Sequence, residues 1–120
     1  MLIDEAVEAK ADSVKFQTYI SQLRAPKDND VVLDILKKCE LKFSDFKTLK
    51  EYSDSKGIQF FSTPFDIESA EYLGEIGIKL AKIASFDTTN INLLKKASSI
   101  FDTLIVSTGM TSIKQIDNFI

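Results

Sequence analysis

Four short apolar segments recur along the chain, and a helical pattern separates each from the next. All four are rich in Val, Ile, Leu or Phe and have the length of a strand. They are Ser13–Tyr19, Ile58–Thr63, Ile78–Ser85 and Thr103–Thr108. Strands that alternate with helices pair in parallel, because each crossover helix returns the chain to the same end of the sheet. The alternation therefore predicts an α/β fold with one parallel sheet and right-handed crossovers.

Capping residues mark the ends of the intervening helices. The predicted N-caps are the side chains that precede apolar periodic stretches, namely Ser44, Asp66, Asn90 and Thr111. Gly57 is predicted to stop a helix. Further helices are predicted for the stretches "LIDEAVEAK" and "DVVLDILKKCE". Since Pro64 cannot donate to a strand ladder, the second strand is predicted to end by Thr63.

Composition narrows the class of protein. The chain has 120 residues, and no linker or low-complexity stretch divides it, so residues 1–120 are predicted to form a single segment. The net charge is −3, so the chain has no excess of the basic residues that bind nucleic acid, which argues against a nucleic-acid partner. No run approaches the roughly 18 apolar residues of a membrane span, and "MLIDEAVEAK" lacks the pattern of a signal peptide. The single cysteine, Cys39, allows no internal disulfide, which favours a cytoplasmic location.

The chain contains no histidine. The commonest general base and the commonest transition-metal ligand are therefore missing from it. Neither GxxxxGK[ST] nor GxGxxG occurs, so the common nucleotide-binding motifs are missing too. Any chemistry must use Lys, Asp, Glu, Ser and Thr, or be completed by residues outside this chain.

The predicted strands share a polar carboxyl end. They close on "KFQT", "FSTPFD", "AKIASFD" and "VSTGMT". In parallel α/β folds, ligands bind beyond the carboxyl ends of the strands, where hydroxyls and helix N–H groups favour anions. For any one Ser or Thr helix capping is the commoner role, but four such ends together predict a phosphate or carboxylate site.

Two of these strands carry a lysine within an apolar run, Lys15 and Lys82. A lysine that is buried without a partner costs several kcal/mol or loses its proton. Strand alternation puts Val14 and Phe16 on one face, and Lys15 and Gln17 on the other. Either both lysines lie on wet edge strands or they face inward to bind an anion. Because their strands are the first and third of four, the second interpretation is favoured.

Four stretches, "ADSVKFQTY", "GIQFFSTPFD", "LAKIASFDTTNINLL" and "LIVSTGMTSIKQI", occur in an order and spacing that resemble the sialic acid synthase family. That family includes N-acetylneuraminate, legionaminate and pseudaminate synthases, and "SFD" after "KIA" is more similar to the latter two. The resemblance implies a partial (β/α)8 TIM barrel, truncated at both ends and covering about strands two to five. It also implies a small antifreeze-like C-terminal domain that this chain does not include.

The same resemblance implies an activity. Such enzymes condense phosphoenolpyruvate (PEP) with an N-acetylated, N-acetylmannosamine-like amino sugar, and release phosphate as the nonulosonate forms. A divalent metal, Mn or Mg, polarises the sugar aldehyde. Its ligands, and a Glu-bearing first strand, are expected outside this chain, so the isolated fragment is expected to be inactive. The full-length form is expected to be a homodimer.

Motif by motif, the resemblance also implies residue roles. PEP would be bound by Lys15, Thr63, Lys82, Ser85 and Ser107, and the sugar by Gln17 and Phe65. Asp87 would be catalytic, at a position where the family often has Glu. Lys10 stands where the family usually has Gly, which is expected to weaken a helix stop. A non-catalytic α/β module, or a truncated product that binds a phosphorylated anion, remains the alternative.

Overall fold

A single parallel sheet organises the chain in the computed structural model, which describes residues 2–117. Its strands are β1 (Ser13–Thr18), β2 (Gln59–Pro64), β3 (Leu80–Ile83) and β4 (Thr103–Val106), in the spatial order β1-β2-β3-β4. The helices are α1 (Leu2–Glu8), α2 (Ser21–Arg24), α3 (Asp30–Cys39), α4 (Phe43–Ser55), α5 (Ile67–Glu75), α6 (Ile91–Ile100) and α7 (Ile113–Ile116). A 3-10 turn spans Ser85–Asp87. The predicted α/β fold with a parallel sheet is confirmed.

The core lies between one face of the sheet and the helices that pack on it. The Phe16 and Phe60 rings stack there with their centroids 5.1 Å apart. Ala81 and Ile83 of β3 are fully buried on the same side, against helical residues such as Leu73. Val14 and Phe16 thus pack against the helices, as strand alternation predicts. None of the helices within residues 2–117 is long and apolar enough to cross a bilayer.

Two of the predicted N-caps are confirmed. The Asp66 carboxylate accepts a hydrogen bond from the Ser69 N–H at 2.7 Å, and the Asn90 side chain accepts one from the Leu93 N–H at 3.2 Å. The N–H groups in the first turn of a helix have no carbonyl partner within the helix, and these two bonds each satisfy one of them. They also fix where α5 and α6 begin, directly after the loops that follow β2 and β3.

The other two predicted N-caps are wrong. Helix α4 begins at Phe43, so Ser44 lies inside it, and Asp45 reaches back to accept the Lys42 N–H at 3.1 Å. At α7 the cap is the residue after Thr111: the Ser112 hydroxyl accepts the Gln115 N–H at 3.3 Å. The Thr111 hydroxyl is instead hydrogen-bonded to Thr88, 2.6 Å away. Tertiary contact therefore decides which of two adjacent hydroxyls caps the helix.

Three helices end with the same pair of backbone hydrogen bonds, the Schellman motif. At the end of α1, the Lys10 N–H donates to the Val7 carbonyl and the Ala11 N–H to the Ala6 carbonyl. Gly57 and Gly77 occupy the equivalent positions after α4 and α5, with φ of 71° and 81°. The predicted stop at Gly57 is confirmed. Lys10 adopts the same left-handed backbone, with φ of 58°.

The predicted end of the second strand is wrong by one residue. Pro64 is the last residue of β2, where it pairs with Thr18. The Phe65 N–H donates to the Thr18 carbonyl at 3.1 Å, so the ladder continues past Pro64 without needing a donor from it. The predicted third and fourth strands extended too far, since β3 ends at Ile83 and β4 at Val106.

Candidate active site

Strand register brings the polar strand residues onto one face of the sheet. Lys15 pairs with Phe61, and Gln17 pairs with Thr63 across β1 and β2. Ser62 pairs with Ala81 on the core side, so the next positions, Thr63 and Lys82, are neighbours on the opposite face. The face that points away from the core therefore carries Lys15, Gln17, Thr63 and Lys82 together.

The electrostatics of this face are those of two nearby cations. Although Lys15 reaches solvent, partial burial lowers its pKa, and the like charge of Lys82 lowers it further. The ion pairs described within residues 2–117 involve other lysines: Lys50, Lys56, Lys79 and Lys96. An anion that lies between the two lysines would stabilise the charged form of Lys15.

The edge-strand interpretation of the two lysines is wrong for Lys82. Strand β3 lies between β2 and β4, so Lys82 is on an interior strand of the sheet. Strand β1 is at the edge of the described sheet, so Lys15 is on an edge strand. An edge-strand position is enough to explain why Lys15 is exposed to solvent. It does not explain why a half-buried lysine, Lys82, lies on an interior strand.

The three predicted hydroxyl ligands lie at the same end of the sheet, in different settings. Thr63 is 2% exposed, within β2 beside Lys82 in register. Ser107 follows β4, and its N–H donates to the Ile83 carbonyl at 3.1 Å. Ser85 is not a strand residue as predicted; it begins the 3-10 turn after β3, because the chain turns immediately beyond Ile83. Ser85 and Ser107 are both half-buried.

A pair of threonines joins the loops at this end. The Thr88 hydroxyl donates to the Ser85 carbonyl at 2.7 Å and lies 2.6 Å from the Thr111 hydroxyl. Thr88 is 1% exposed, so these bonds form away from competing water. They connect the turn after β3 to the segment after β4, and so fix Ser85 relative to the end of β4.

The two predicted sugar-binding residues meet through an arginine. Phe65 follows β2, and its ring stacks on Phe86 at a centroid distance of 5.7 Å. The Arg24 guanidinium lies 3.7 Å from the centroid of the Phe65 ring and 4.6 Å from that of Tyr19. The same guanidinium donates a hydrogen bond to Gln17 Oε1 at 3.3 Å. Arg24 thus connects Gln17 to Phe65.

Arg24 was not among the predicted site residues. It is the single arginine of the chain, placed shortly after the polar end of the first strand, and this is the signal that could have identified it. Its helix, α2, has four residues and is too short to show an apolar period. Its aromatic partners come from separate segments, which a sequence does not bring together.

Asp87 ends the 3-10 turn with one carboxylate oxygen buried. Within residues 2–117 no group hydrogen-bonds to its Oδ2 atom. Burial raises the pKa of Asp87, and the positive charge of Arg24 opposes that rise. A carboxyl group that burial inclines towards its neutral form is suited to donate a proton.

The described residues do not form a metal site. Within residues 2–117 no three His, Cys, Asp or Glu side chains lie close enough together to hold a metal ion. The residues that cluster at the strand ends are instead lysines, an arginine, hydroxyls, an amide and one carboxylate.

Parallel strands alternating with helices, with polar groups gathered at the strand ends, define an α/β module of the class that binds ligands at the carboxyl ends of its strands. Residues 2–120 match the NeuB family, and the chain belongs to it. The predicted membership in the sialic acid synthase family is thereby confirmed. The N,N'-diacetyllegionaminic acid synthase of Campylobacter jejuni is 34% identical over 129 residues, an alignment covering 97% of this chain and 39% of that protein.

Solved structures agree with this assignment. The N-acetylneuraminic acid (sialic acid) synthetase of Leptospira borgpetersenii, solved in complex with citrate, is 40% identical with a TM-score of 0.91; the match covers 98% of this chain and 41% of that one. The DAHP synthase of Thermotoga maritima, at 16% identity and a TM-score of 0.73 over 98% of this chain and 31% of its own, shares the fold alone. The chain spans about two fifths of the length of the legionaminic and sialic acid synthases it matches.

Proposed function

We propose that this chain is the PEP-binding part of a synthase that condenses PEP with an N-acetylated, N-acetylmannosamine-like sugar to give a sialic-acid-type nonulosonate and phosphate. The observation that carries the proposal is the grouping of Lys15, Thr63 and Lys82 on one face of the sheet. The Campylobacter relative is an N,N'-diacetyllegionaminic acid synthase, which supports a sialic-acid-type product. The Leptospira relative was solved in complex with citrate, a tricarboxylate anion, which supports an anionic ligand.

PEP carries a carboxylate and a phosphate, and in the proposal each lysine binds one of these groups. Charge-assisted hydrogen bonds contribute about 1.5–3 kcal/mol each when they form away from bulk water. Thr63, Ser85 and Ser107 add hydroxyl donors at the same end of the sheet. Binding would also offset the burial and the repulsion by Lys82 that lower the pKa of Lys15, because the ligand places negative charge beside it.

The proposed reaction forms one carbon–carbon bond and one carbon–oxygen bond, and it breaks one carbon–oxygen bond. Carbon 3 of PEP attacks the aldehyde carbon of the open-chain sugar, and the former aldehyde oxygen takes up a proton. Water adds to carbon 2, and phosphate leaves as the original C2–O bond breaks, so that the oxygen of the water becomes the C2 keto oxygen. The two protons of the water end on the former aldehyde oxygen and on the phosphate. In this proposal Asp87 moves a proton at the reacting centre, consistent with its partly buried carboxyl.

The complete enzyme of this proposal needs more than the present residues. A divalent Mn or Mg ion, held by ligands outside this chain, would polarise the aldehyde. The full-length protein would act as a homodimer in the cytoplasm. Gln17 and Phe65, joined by Arg24, would contact the sugar.

A thermal-shift titration tests PEP binding. PEP is expected to raise the melting temperature of the chain more than inorganic phosphate does, because only PEP engages both lysines. Lys82→Met should abolish the difference. Lys79→Met is the matched control, since Lys79 precedes the same strand at its other end with a side chain 69% exposed.

Equal responses to PEP and phosphate in the wild-type chain would instead indicate a generic anion binder. The isolated chain is expected to form no nonulosonate from PEP and N-acetylmannosamine. Measurable condensation by these 120 residues would contradict that expectation.

A further inference from the structure

We propose that Arg24 is the positioning residue of the sugar subsite: it turns the Gln17 amide so that its NH2 group faces the ligand, and it holds the Phe65 ring in place. The identity of the ligand rests on the proposed function, whereas the positioning role rests on the geometry around Arg24. The subsite formed in this way presents hydrogen-bond donors beside an aromatic face. Such a subsite suits the carbonyl and hydroxyl oxygens of an N-acylated sugar.

The hydrogen-bond chemistry of arginine fixes the orientation of Gln17. A guanidinium has only donors, so the Gln17 atom that faces Arg24 at 3.3 Å must be the amide oxygen. The amide nitrogen then points away from Arg24 with two N–H donors. Gln17 is on the lysine-bearing face of β1, so those donors are available to a ligand at that face. Without Arg24, either end of the amide could face the ligand.

The aromatic contacts of Arg24 act on Phe65. The guanidinium lies 3.7 Å from the centroid of the Phe65 ring, and Phe86 stacks on that ring with an interplanar angle of 14°. The Tyr19 ring meets Phe65 edge-on at 6.2 Å. Phe86 itself is 53% exposed, so Arg24 and Tyr19 supply much of what holds the Phe65 ring. Lysine cannot replace this contact fully, because it lacks the planar group that stacks on a ring.

The backbone that leads to Arg24 is held at the start of α2. The Ile20 N–H donates to Asp66 Oδ2 at 3.0 Å, which ties the start of α2 to the N-cap of α5. The Ser21 N–H donates to Glu40 Oε2 at 3.2 Å, and the Ser21 hydroxyl bonds to the same oxygen. Because Ser21 is fully buried, these bonds anchor α2 and limit where the Arg24 side chain can reach.

Arg24 also acts on the proposed catalytic carboxyl. Two influences set the pKa of Asp87: burial, which raises it, and the charge of Arg24, which lowers it. One side chain therefore contacts Gln17 and Phe65 and acts electrostatically on Asp87. A purely structural arginine would be expected to influence the fold without changing the ionisation of Asp87.

The test is an NMR comparison of the 120-residue chain with its Arg24→Met and Arg24→Lys variants. Lys27→Met is the matched control, since it removes the same charge from an exposed position three residues away. Two signals are followed without ligand: the Gln17 side-chain NH2 resonances and the carboxyl carbon of Asp87 against pH. PEP and N-acetylmannosamine are then titrated separately into each protein.

In Arg24→Met the Gln17 resonances should move towards those of a free amide, and the pKa of Asp87 should rise. The dissociation constant for N-acetylmannosamine should increase about tenfold, or about 1.4 kcal/mol, while that for PEP changes by less than about twofold. Arg24→Lys should keep the Asp87 pKa near that of the wild type but recover the sugar affinity only in part. Lys27→Met should leave all four readouts unchanged.

The inference is wrong if Arg24→Met leaves the Gln17 resonances unchanged, or if Lys27→Met alters them equally. Should Arg24→Met fail to fold, Arg24→Gln decides through the Gln17 resonances, because a glutamine side chain accepts as well as donates and no longer fixes the Gln17 amide. If the wild-type chain binds neither PEP nor N-acetylmannosamine, the proposed function fails. The Gln17 resonances, measured without ligand, still decide whether Arg24 positions Gln17.

Discussion

Lys15 and Lys82 lie on the same face of the sheet, on the two strands that flank β2, where burial and then the charge of Lys82 lower the pKa of Lys15. Two like charges on one face, one of them on an interior strand, destabilise the fold. Anion-binding sites commonly carry such a cost, because the charges that repel each other in the free protein attract the ligand.

Replacing Lys82 with methionine should therefore raise stability while it weakens ligand binding. The pKa of Lys15 should rise part of the way towards its ordinary value of 10.5, because burial, the larger cause of the lowering, remains while the charge of Lys82 is gone. Allowing for solvent screening, the free energy of unfolding at pH 7 should rise by about 0.5 kcal/mol, the scale of repulsion between neighbouring like charges. Urea unfolding measures this, and PEP affinity should fall at least about tenfold.

The pH dependence of this gain follows from the lowered pKa of Lys15. Because the pKa of Lys15 is lower in the folded state than in the unfolded state, the charged lysine destabilises the fold at pH 7. The wild type escapes this penalty above the ordinary pKa of 10.5, and the penalty returns as pH falls through the folded-state pKa. Lys82→Met should thus gain stability over the wild type at pH 7, with a smaller gain above pH 10.5. Lys79→Met should show no such pH-dependent gain; a matching gain there would contradict the assignment to the Lys15–Lys82 pair.

Replacing Asp87 with asparagine should stabilise the chain at neutral pH. Burial raises the folded-state pKa of Asp87 above its ordinary value of 3.8. The stability that this provides is complete below pH 3.8 and is lost as pH rises through the folded-state pKa. Asp87→Asn should consequently unfold at higher denaturant than the wild type at pH 7, and the difference should close towards pH 3.

Asp102→Asn controls for the loss of one carboxylate, since Asp102 is 69% exposed and lies just before β4. It should show little difference from the wild type across the same pH range. A constant difference for Asp87→Asn at every pH would mean that packing, rather than ionisation, sets the effect. In a complete synthase the same substitution should lower kcat more than it changes the KM for PEP.

Replacing Lys10 with glycine should raise the free energy of unfolding by about 1 kcal/mol. The left-handed conformation destabilises a residue that has a Cβ atom by about this amount, and glycine has none. Lys10 ends α1 in the same motif that Gly57 and Gly77 form after α4 and α5. A Cβ atom at either glycine would meet nothing within 4 Å, so Gly57→Ala and Gly77→Ala isolate the conformational term. Both should destabilise by a similar amount.

Lys47→Gly is the control for loss of a lysine side chain. Lys47 is exposed within α4, and glycine there should destabilise by about 1 kcal/mol. Chemical denaturation of the four variants gives the comparison. A destabilised Lys10→Gly variant would show that contacts of the Lys10 side chain outweigh its backbone strain.

Replacing Gly74 with alanine should destabilise α5 against α6, although alanine is the better helix former by about 1 kcal/mol. An added Cβ atom would approach Ile100 Cγ2 more closely than two carbon atoms can. Overpacking of this kind costs about 1–3 kcal/mol. The double variant Gly74→Ala/Ile100→Ala should be less destabilised than the sum of the two single variants. Strict additivity in unfolding experiments would contradict the steric explanation.

Local sequence patterns were sufficient to predict much of the fold. The spacing of apolar segments predicts the parallel sheet, and the period of two along a strand places Lys15 and Gln17 opposite Phe16. Capping chemistry predicts Asp66 and Asn90, and Asp66 caps α5 with one carboxylate oxygen while the other accepts the Ile20 N–H. The same chemistry fails at Thr111, because Thr88 binds that hydroxyl from a distant segment.

The site was predictable only where it follows from strand geometry. The Lys15–Lys82 face could be anticipated, whereas Arg24 could not, because its partners converge through tertiary packing. The 3-10 turn that holds Ser85 and Asp87 has three residues and leaves no period in the sequence. This turn and the four-residue helix α2 determine where Asp87 and Phe65 lie relative to Arg24.

The central claim, that Lys15 and Lys82 together bind PEP, is tested most directly by NMR of the chain with its lysines labelled at the Cε carbon. On titration with PEP, the Lys15 and Lys82 signals should move together and give a single dissociation constant, and the pKa of Lys15 should rise. The Lys79 signal should stay in place. Signals of Lys15 and Lys82 that do not saturate, or that move no more than that of Lys79, would contradict the account.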